Sequence, residues 1–187
     1  VTGVQTCALP IFGIFFPKFT GSIYEVLAAP ISSLEIIIGF VGASATKSLI
    51  VGVIILITAT FFVELEIQYP LLMLFLLVLT CLTFSLFGFL IGLLSENFDQ
   101  LQVVPLIIVP PLVFLGGSLY TVEMLPEFWQ NVACFNPVLY LVNGMRWSFY
   151  GASDINIWVS VISLVAFLSI CVAGVAIAIT KGYGTKE

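Results

Sequence analysis

An all-α, polytopic membrane protein is the fold class this sequence predicts, and three observations predict it. Hydrophobic residues make up 61% of the 187-residue chain and charged ones 8%, about a third of the roughly 25% usual in soluble domains. The mean hydropathy is +1.24. The few charges are also spread apart: none falls in 67–95, 100–122 or 155–180. Each of those gaps can supply the roughly 20 apolar residues a spanning helix needs. The net charge of −5 says little about topology, which follows local Lys and Arg. The absence of histidine excludes imidazole metal sites and His-based catalysis. Cys7, Cys81, Cys134 and Cys171 lie far apart in sequence and suggest neither a disulfide framework nor a zinc site. Cys134 reads as a plain buried thiol.

Taken in order, residues 1–11, VTGVQTCALPI, read as foreign to the remainder of the chain. They resemble translated adapter sequence, and nothing is built on them. Residues 11–17 read as the stub of a helix that Pro17 and Lys18 end. Ser22-Ile23-Tyr24-Glu25 is a capping box, in which the Ser oxygen and the Glu carboxylate satisfy free amides at a helix start. Phe19, Ile23, Val26 and Leu27 share a face of that helix. Pro30 stops it, having no amide proton to donate. The expectation at about 22–29 is a short amphipathic helix along the membrane surface. Ser32-Ser33-Leu34-Glu35 is a second capping box and opens a span over about 35–63. There Ser44, Ser48 and Gly52 recur every fourth residue, a spacing that lets another helix approach closely. Lys47, near one end of that span, reads as a snorkelling anchor rather than a proton relay. Glu64 and Glu66 read as a solvated turn.

A second span is expected over about 70–94, with a small-residue face at Ser85, Gly88 and Gly92. Asn97 and Gln100 suit the capping of a third, over about 101–119. Pro105, Pro110 and Pro111 free carbonyl groups there, which in lipid must find partners. A kinked helix buried in protein is therefore expected. Gly116-Gly117 breaks it. Pro126 suits the first turn of a short helix. Asn136-Pro137 is a start signal, with Asn as cap and Pro at the first position. Residues 138–150 are apolar but shorter than a span, as in a re-entrant segment. Trp129, Tyr140, Trp147 and Tyr150 fit an aromatic belt at a membrane surface. A re-entrant helical hairpin is thus expected over about 120–151. The last span, about 157–180, carries Gly174, Ala178 and Gly182 on one face and is followed by Lys181 and Lys186. The tally is four complete spanning helices plus the stub of another. Lys18, Lys181 and Lys186 lie on one side and Arg146 on the other, which places the C-terminus in the cytoplasm and the hairpin outside.

The run FLGGSLYTVEMLPEFWQNVACFNPVLYLVNGMRW resembles the type-2 exporter permeases of ATP-binding cassette transporters. Their pattern is an apolar helix ending in F-L-[SG]-G, then L-P, then N-P, then an Arg about nine residues on. Here these are Phe114 to Gly117, Leu125-Pro126, Asn136-Pro137 and Arg146. The segment YEVLAAPIS is similar to the family's E-x-L-x-x-[AS]-P stretch, at Glu25, Leu27, Ala29 and Pro30. The resemblance covers about residues 12–183 and is nearest to bacterial inner-membrane permeases of unassigned substrate. It implies a fold of six spanning helices, so the chain is expected to be a partial domain over 12–187, cut short at its N-terminus. It also implies a mechanism. Two permease copies, as a homodimer, pair around a path, and two separate ATPase subunits dock beneath them. Tyr24, Glu25, Val26, Leu27, Ala29 and Pro30 form the coupling surface for the ATPase. Gly116, Gly117, Leu125, Pro126, Asn136, Pro137 and Arg146 form the exit hairpin.

Under this reading the chain is not an enzyme. It holds no cofactor of its own, and ATP and Mg bind to the partner subunit. Its partners are that ATPase, a second permease and the lipid bilayer, with no nucleic acid. The stretch GASATKS at Gly42 to Ser48 lacks the second glycine of a phosphate-binding loop and lies within a membrane helix. The alternative class is a self-sufficient secondary transporter or channel. Such proteins place ionisable groups at mid-membrane, and the centres of 70–94, 101–119 and 157–180 have none. Arg146 reads as snorkelling and pairing with Glu123, Glu127 or Asp154 rather than contacting an anionic substrate.

Overall fold

A computed structural model describes residues 13, 15–17, 20, 33–63, 67–95, 97–118 and 120–180. The described residues are helical with connecting turns, and no strand occurs among them. Residues 22–29, where the surface helix is expected, lie outside the described residues, as do Ser32, Glu64, Glu66, Lys181, Gly182 and Lys186.

Helix α1 is Ser33–Phe62. No proline interrupts this run, so the backbone ladder is unbroken. Its 30 residues extend about 45 Å, well beyond the roughly 30 Å hydrocarbon core. Pro70 opens α2, Pro70–Leu94, at the position where a missing amide costs nothing. Ser95 closes α2: its backbone N–H and its hydroxyl both donate to Ile91 O, at 2.9 and 2.8 Å. The last long helix, numbered α7 in chain order, is Ile157–Thr180. These three helices are long and apolar enough to cross a membrane.

The segment expected at 101–119 is shorter and more complex. It consists of α3, Phe98–Val103, a π-helical turn, Val104–Ile108, and α4, Val109–Leu115. The π turn follows from the prolines. Pro105, Pro110 and Pro111 cannot donate, and the amide of Val109 bonds Val104 O one residue further back than in an α-helix. A wider turn is a standard way to absorb such a mismatch. The segment is not buried all round, as the sequence suggested. Leu101 and Val109 are buried along with Pro105, a stripe four residues apart, while Leu106, Ile107 and Ile108 are exposed. Asn97 sits at the cap position of α3, yet its side chain makes no cap bond; its carbonyl instead accepts from Leu101 N at 3.1 Å.

Two short helices follow: α5, Glu127–Cys134, and α6, Pro137–Tyr150. Pro126 caps α5 from one position outside it, its carbonyl accepting from the amides of Trp129 and Gln130 at 2.9 and 3.1 Å. Asn136 caps α6, its Oδ1 accepting from Val138 N at 3.0 Å. Gly151, at φ 66°, ends α6 in the left-handed region, where glycine carries no Cβ penalty.

Helix α2 is the hub, packing on α1, α7 and α6. Its small-residue face does what that spacing allows. Ser85, Gly88 and Gly92 are buried, and Ser85 Oγ donates to Val41 O on α1 at 3.0 Å. Ser44, Ser48 and Gly52 form the answering face on α1 and are buried. A Cβ on Gly52 would lie 3.3 Å from Leu77 on α2, and one on Gly174 of α7 would lie 3.0 Å from Leu90. Contact pairs fix the directions. Val41 packs with Phe89 and Gly52 with Leu77, so α1 and α2 are antiparallel. Leu76 and Leu79 pack with Leu164, and Phe89 and Leu93 with Val175 and Ala178, so α2 and α7 are parallel.

Candidate functional site: the α5–α6 hairpin and its clamp

Helix α6 runs antiparallel to α2. Val138 clusters with Phe84, Gly144 abuts Leu76, and Ser148 O accepts from Tyr69 N at 3.1 Å. Phe84 lies about 21 Å along the axis from Pro70. Helix α6 therefore starts deep beside α2 and climbs back to the end where α2 begins. Helix α7 starts at that same end, because Asn143 on α6 grips its entrance. Asn143 is buried. Its Nδ2 donates to Ile155 O at 2.7 Å and to Ser160 Oγ at 2.9 Å, and its Oδ1 accepts from Ile155 N at 3.2 Å. The chain between Gly117 and Asp154 thus enters and leaves the bundle at one end.

The root of the hairpin is a close approach of α4 to α6. Asn136 Nδ2 donates to Leu112 O at 2.6 Å. That carbonyl is free because the amide of Gly116 turns to Val113 O instead. A Cβ on Gly116 would sit 2.7 Å from Val138 Cγ1, closer than packed atoms tolerate. Gly117, at φ 72°, then reverses the chain in a conformation that side chains with a Cβ rarely adopt.

Arg146 locks the top. Its Nη2 donates to Gly117 O at 2.8 Å and its Nη1 pairs with Asp154 Oδ2 at 3.1 Å. Asp154 also accepts from Val122 N at 3.4 Å. One guanidinium therefore ties the end of α4, the body of α6 and the α6–α7 loop. Of the three acids the sequence offered, the structure pairs Asp154. Both side chains are about a quarter exposed, so water screens the pair. Tyr69 and Trp147 stack beside it, with ring centroids 4.4 Å apart and 13° between planes.

Of the expected exit-hairpin residues, Gly116, Gly117, Asn136, Pro137 and Arg146 come together in this way. Leu125 and Pro126 belong to the start of α5, where Leu125 O accepts from Gln130 Nε2 at 2.8 Å. The expected ATPase-coupling residues, Tyr24, Glu25, Val26, Leu27, Ala29 and Pro30, lie outside the described residues. Cys134 is exposed rather than buried. Ala133 takes the buried position on α5, and a helix turns about 100° per residue, which carries Cys134 off that face. Sequence reasoning missed Asn143; the available signal was a lone amide in an apolar helix, seven positions after the Asn136 cap. It also missed a cavity of about 270 Å³ between α1, α2, α4 and α6, which carries no local signature.

Helices with this much apolar surface, together with a hairpin that turns back on itself, define an α-helical, multi-pass membrane protein. The sequence profile of the ABC-2 type transporter family matches residues 3–150, and the chain belongs to that family. Among known relatives, the inner membrane transport permease YadH of Escherichia coli K12 is 37% identical over 161 residues, covering 84% of this chain and 63% of YadH. The YadH of Shigella flexneri gives the same figures. Nodulation protein J of Rhizobium leguminosarum bv. viciae is 25% identical over 128 residues, covering 66% of this chain and 48% of that protein. The chain thus spans about 63% of the length of the first two relatives. No solved structure matches significantly.

Proposed function

We propose that this chain forms the membrane-spanning permease of an ATP-driven exporter in the bacterial inner membrane. The family match over residues 3–150 carries this reading. The name of the E. coli relative, an inner membrane transport permease, supports both the process and the compartment. The hairpin between Gly117 and Asp154 supports the outward, re-entrant placement, since both its ends lie at the end of the bundle where α2 starts. Counting the 98–115 segment as a span gives four in all, with α7 delivering the C-terminus to the cytoplasm. The exposed apolar residues of α1 and α7, among them Ile50, Ile54, Ile57, Trp158, Ile162 and Ile170, suit contact with lipid or with a second permease copy.

In this reading the chain hydrolyses nothing. Two ATPase subunits bind ATP and Mg, and the segment at 22–29 passes their closure to a pair of permeases. The substrate class is a drug, a lipid-linked molecule or a polysaccharide-like one. The test is co-purification with a soluble ABC ATPase expressed together with the permease. Changing Glu25→Ala together with Leu27→Asp is expected to abolish co-purification while membrane insertion persists. ATPase binding retained by that variant overturns the coupling role.

A further inference from the structure

The packing moves Lys47 away from the end of its span. The contacts of Val41 with Phe89 and of Gly52 with Leu77 put it level with Leu82 and Thr83 of α2. The charge-free stretch of α2, residues 67–95, has its middle at Cys81, so Lys47 lies within about 3 Å of mid-membrane at the helical rise per residue. Carried across by the α2–α7 contacts, the same level falls near Ser169, close to the middle of the charge-free stretch 155–180. A lysine at that depth does not reach the surface by snorkelling, since half of the roughly 30 Å core is more than twice the length of its side chain. Nor is it tucked into the bundle. Lys47 is exposed, beside the face that Ser44 and Ser48 press onto α2. Gly39 and Ala43 are exposed one and two turns before it, and a Cβ on Gly39 or Gly42 would meet nothing.

An ionisable group inside a membrane faces a water-filled space or a partner charge, not hydrocarbon. The described residues supply no partner charge. Glu35 and Asp99 lie in the first turns of α1 and α3, Glu127 in the first turn of α5, and Asp154 pairs with Arg146. Lys47 forms no ion pair with any of them. A second copy, related by an axis along the membrane normal, keeps every residue at its own depth. It therefore brings another Lys47 to that level rather than an acid from its spanning helices. We infer that Lys47 is the cationic contact for the exported molecule on a water-filled path, and that this molecule carries an anionic group, a phosphate or a carboxylate. Gly39, Gly42 and Ala43 leave a shallow recess beside the ammonium, which such a group enters without displacing a side chain. The inference rests on the export reading and narrows its cargo to acidic molecules.

The test uses the full-length permease in permeabilised inner-membrane vesicles, with the native thiols replaced by serine and a single cysteine at Ala43→Cys. Two water-soluble methanethiosulfonates probe it, one carrying a sulfonate and the other a trimethylammonium group. Ala43→Cys is expected to react, while Ile170→Cys, exposed at the same depth on α7, is not. The ratio of anionic to cationic rates at Ala43→Cys should fall about tenfold when Lys47→Met is added, the scale of one charge attracting one reagent and repelling the other across about a turn of helix. Lys47→Arg should keep the ratio, which a merely structural role would not require. Butyl phosphate should slow the labelling of Ala43→Cys with Lys47 in place and not with Lys47→Met, and butyltrimethylammonium should slow neither. No labelling at Ala43→Cys means that lipid or another helix covers this face, and overturns the path. Equal labelling of Ile170→Cys does the same, because water then reaches that depth on every side. An unchanged ratio in Lys47→Met means that its charge is absent or already matched, and overturns the anion site, as does a lack of protection by butyl phosphate. None of these rates needs ATP hydrolysis. They judge the anion site, while co-purification with the ATPase judges the export reading, so either can fail alone.

Discussion

At the scale of single residues, two polar side chains on α6 hold the hairpin. Asn143 satisfies both backbone groups of Ile155 and the hydroxyl of Ser160. Asn143→Ala leaves them unpaired. Each orphaned buried group costs about 1–3 kcal/mol in principle, but polar bonds in membrane bundles average nearer 0.6 kcal/mol. The expected loss is about 2 kcal/mol, read as a lower midpoint in detergent-induced unfolding. Asn143→Gln should not rescue it, because the longer side chain carries the amide past Ile155. Arg146 and Asp154 are more exposed, so their coupling in a double-mutant cycle of Arg146→Ala and Asp154→Ala is expected at about 1 kcal/mol. A coupling near zero would mean that the Arg146–Gly117 bond, and not the ion pair, holds the loop.

At the scale of elements, the hairpin depends on how closely α4 approaches α6. Gly116→Ala puts a methyl 2.7 Å from Val138 and 3.1 Å from Leu112 O. Overpacking of that kind costs about 1–3 kcal/mol. Val138→Ala should recover part of it, since it removes the clashing methyl, although it opens a cavity of its own. Recovery in Gly116→Ala/Val138→Ala relative to Gly116→Ala locates the strain at that contact. Additive losses would locate it elsewhere. This contact also marks the limit of what the sequence revealed. The Asn136-Pro137 start and the Gly116-Gly117 break were legible because each acts within a turn of its own position. The bond from Asn136 to Leu112 O was not, because it joins residues 24 positions apart. The three prolines announced a disturbed helix, but not that a π turn would absorb it. The exposure of Cys134 was hidden for a related reason: in a helix as short as α5, the face that is buried depends on its neighbour, not on its own periodicity.

At the scale of the whole molecule, the helix directions commit the chain to one topology. Of the three helices long enough to span, α2 and α7 were legible from charge-free lengths alone, whereas α1, which carries Glu35 and Lys47, was legible from the capping box that opens it and the apolar run that follows. The segment with prolines was legible as a helix but not as one of 18 residues, from Phe98 to Leu115, interrupted at its middle. With α2 and α7 parallel and α6 antiparallel to both, Gln68, Thr121 and Ala152 belong at one end of the bundle and Asn97 at the other. If the local Lys and Arg set the orientation, the first group faces the periplasm. Single cysteines at Gln68, Thr121, Ala152 and Asn97, introduced after replacing the native thiols by serine, test this with a membrane-impermeant maleimide. The first three are expected to react in intact cells stripped of the outer membrane, and Asn97→Cys only after the inner membrane is opened. The reverse pattern would invert the orientation while leaving the fold intact. Labelling of Gln68→Cys and Ala152→Cys from opposite faces is a different failure. It would require the segment after Gly117 to cross the bilayer, and neither the Tyr69–Ser148 bond nor the Arg146 clamp could then exist in the membrane-embedded chain.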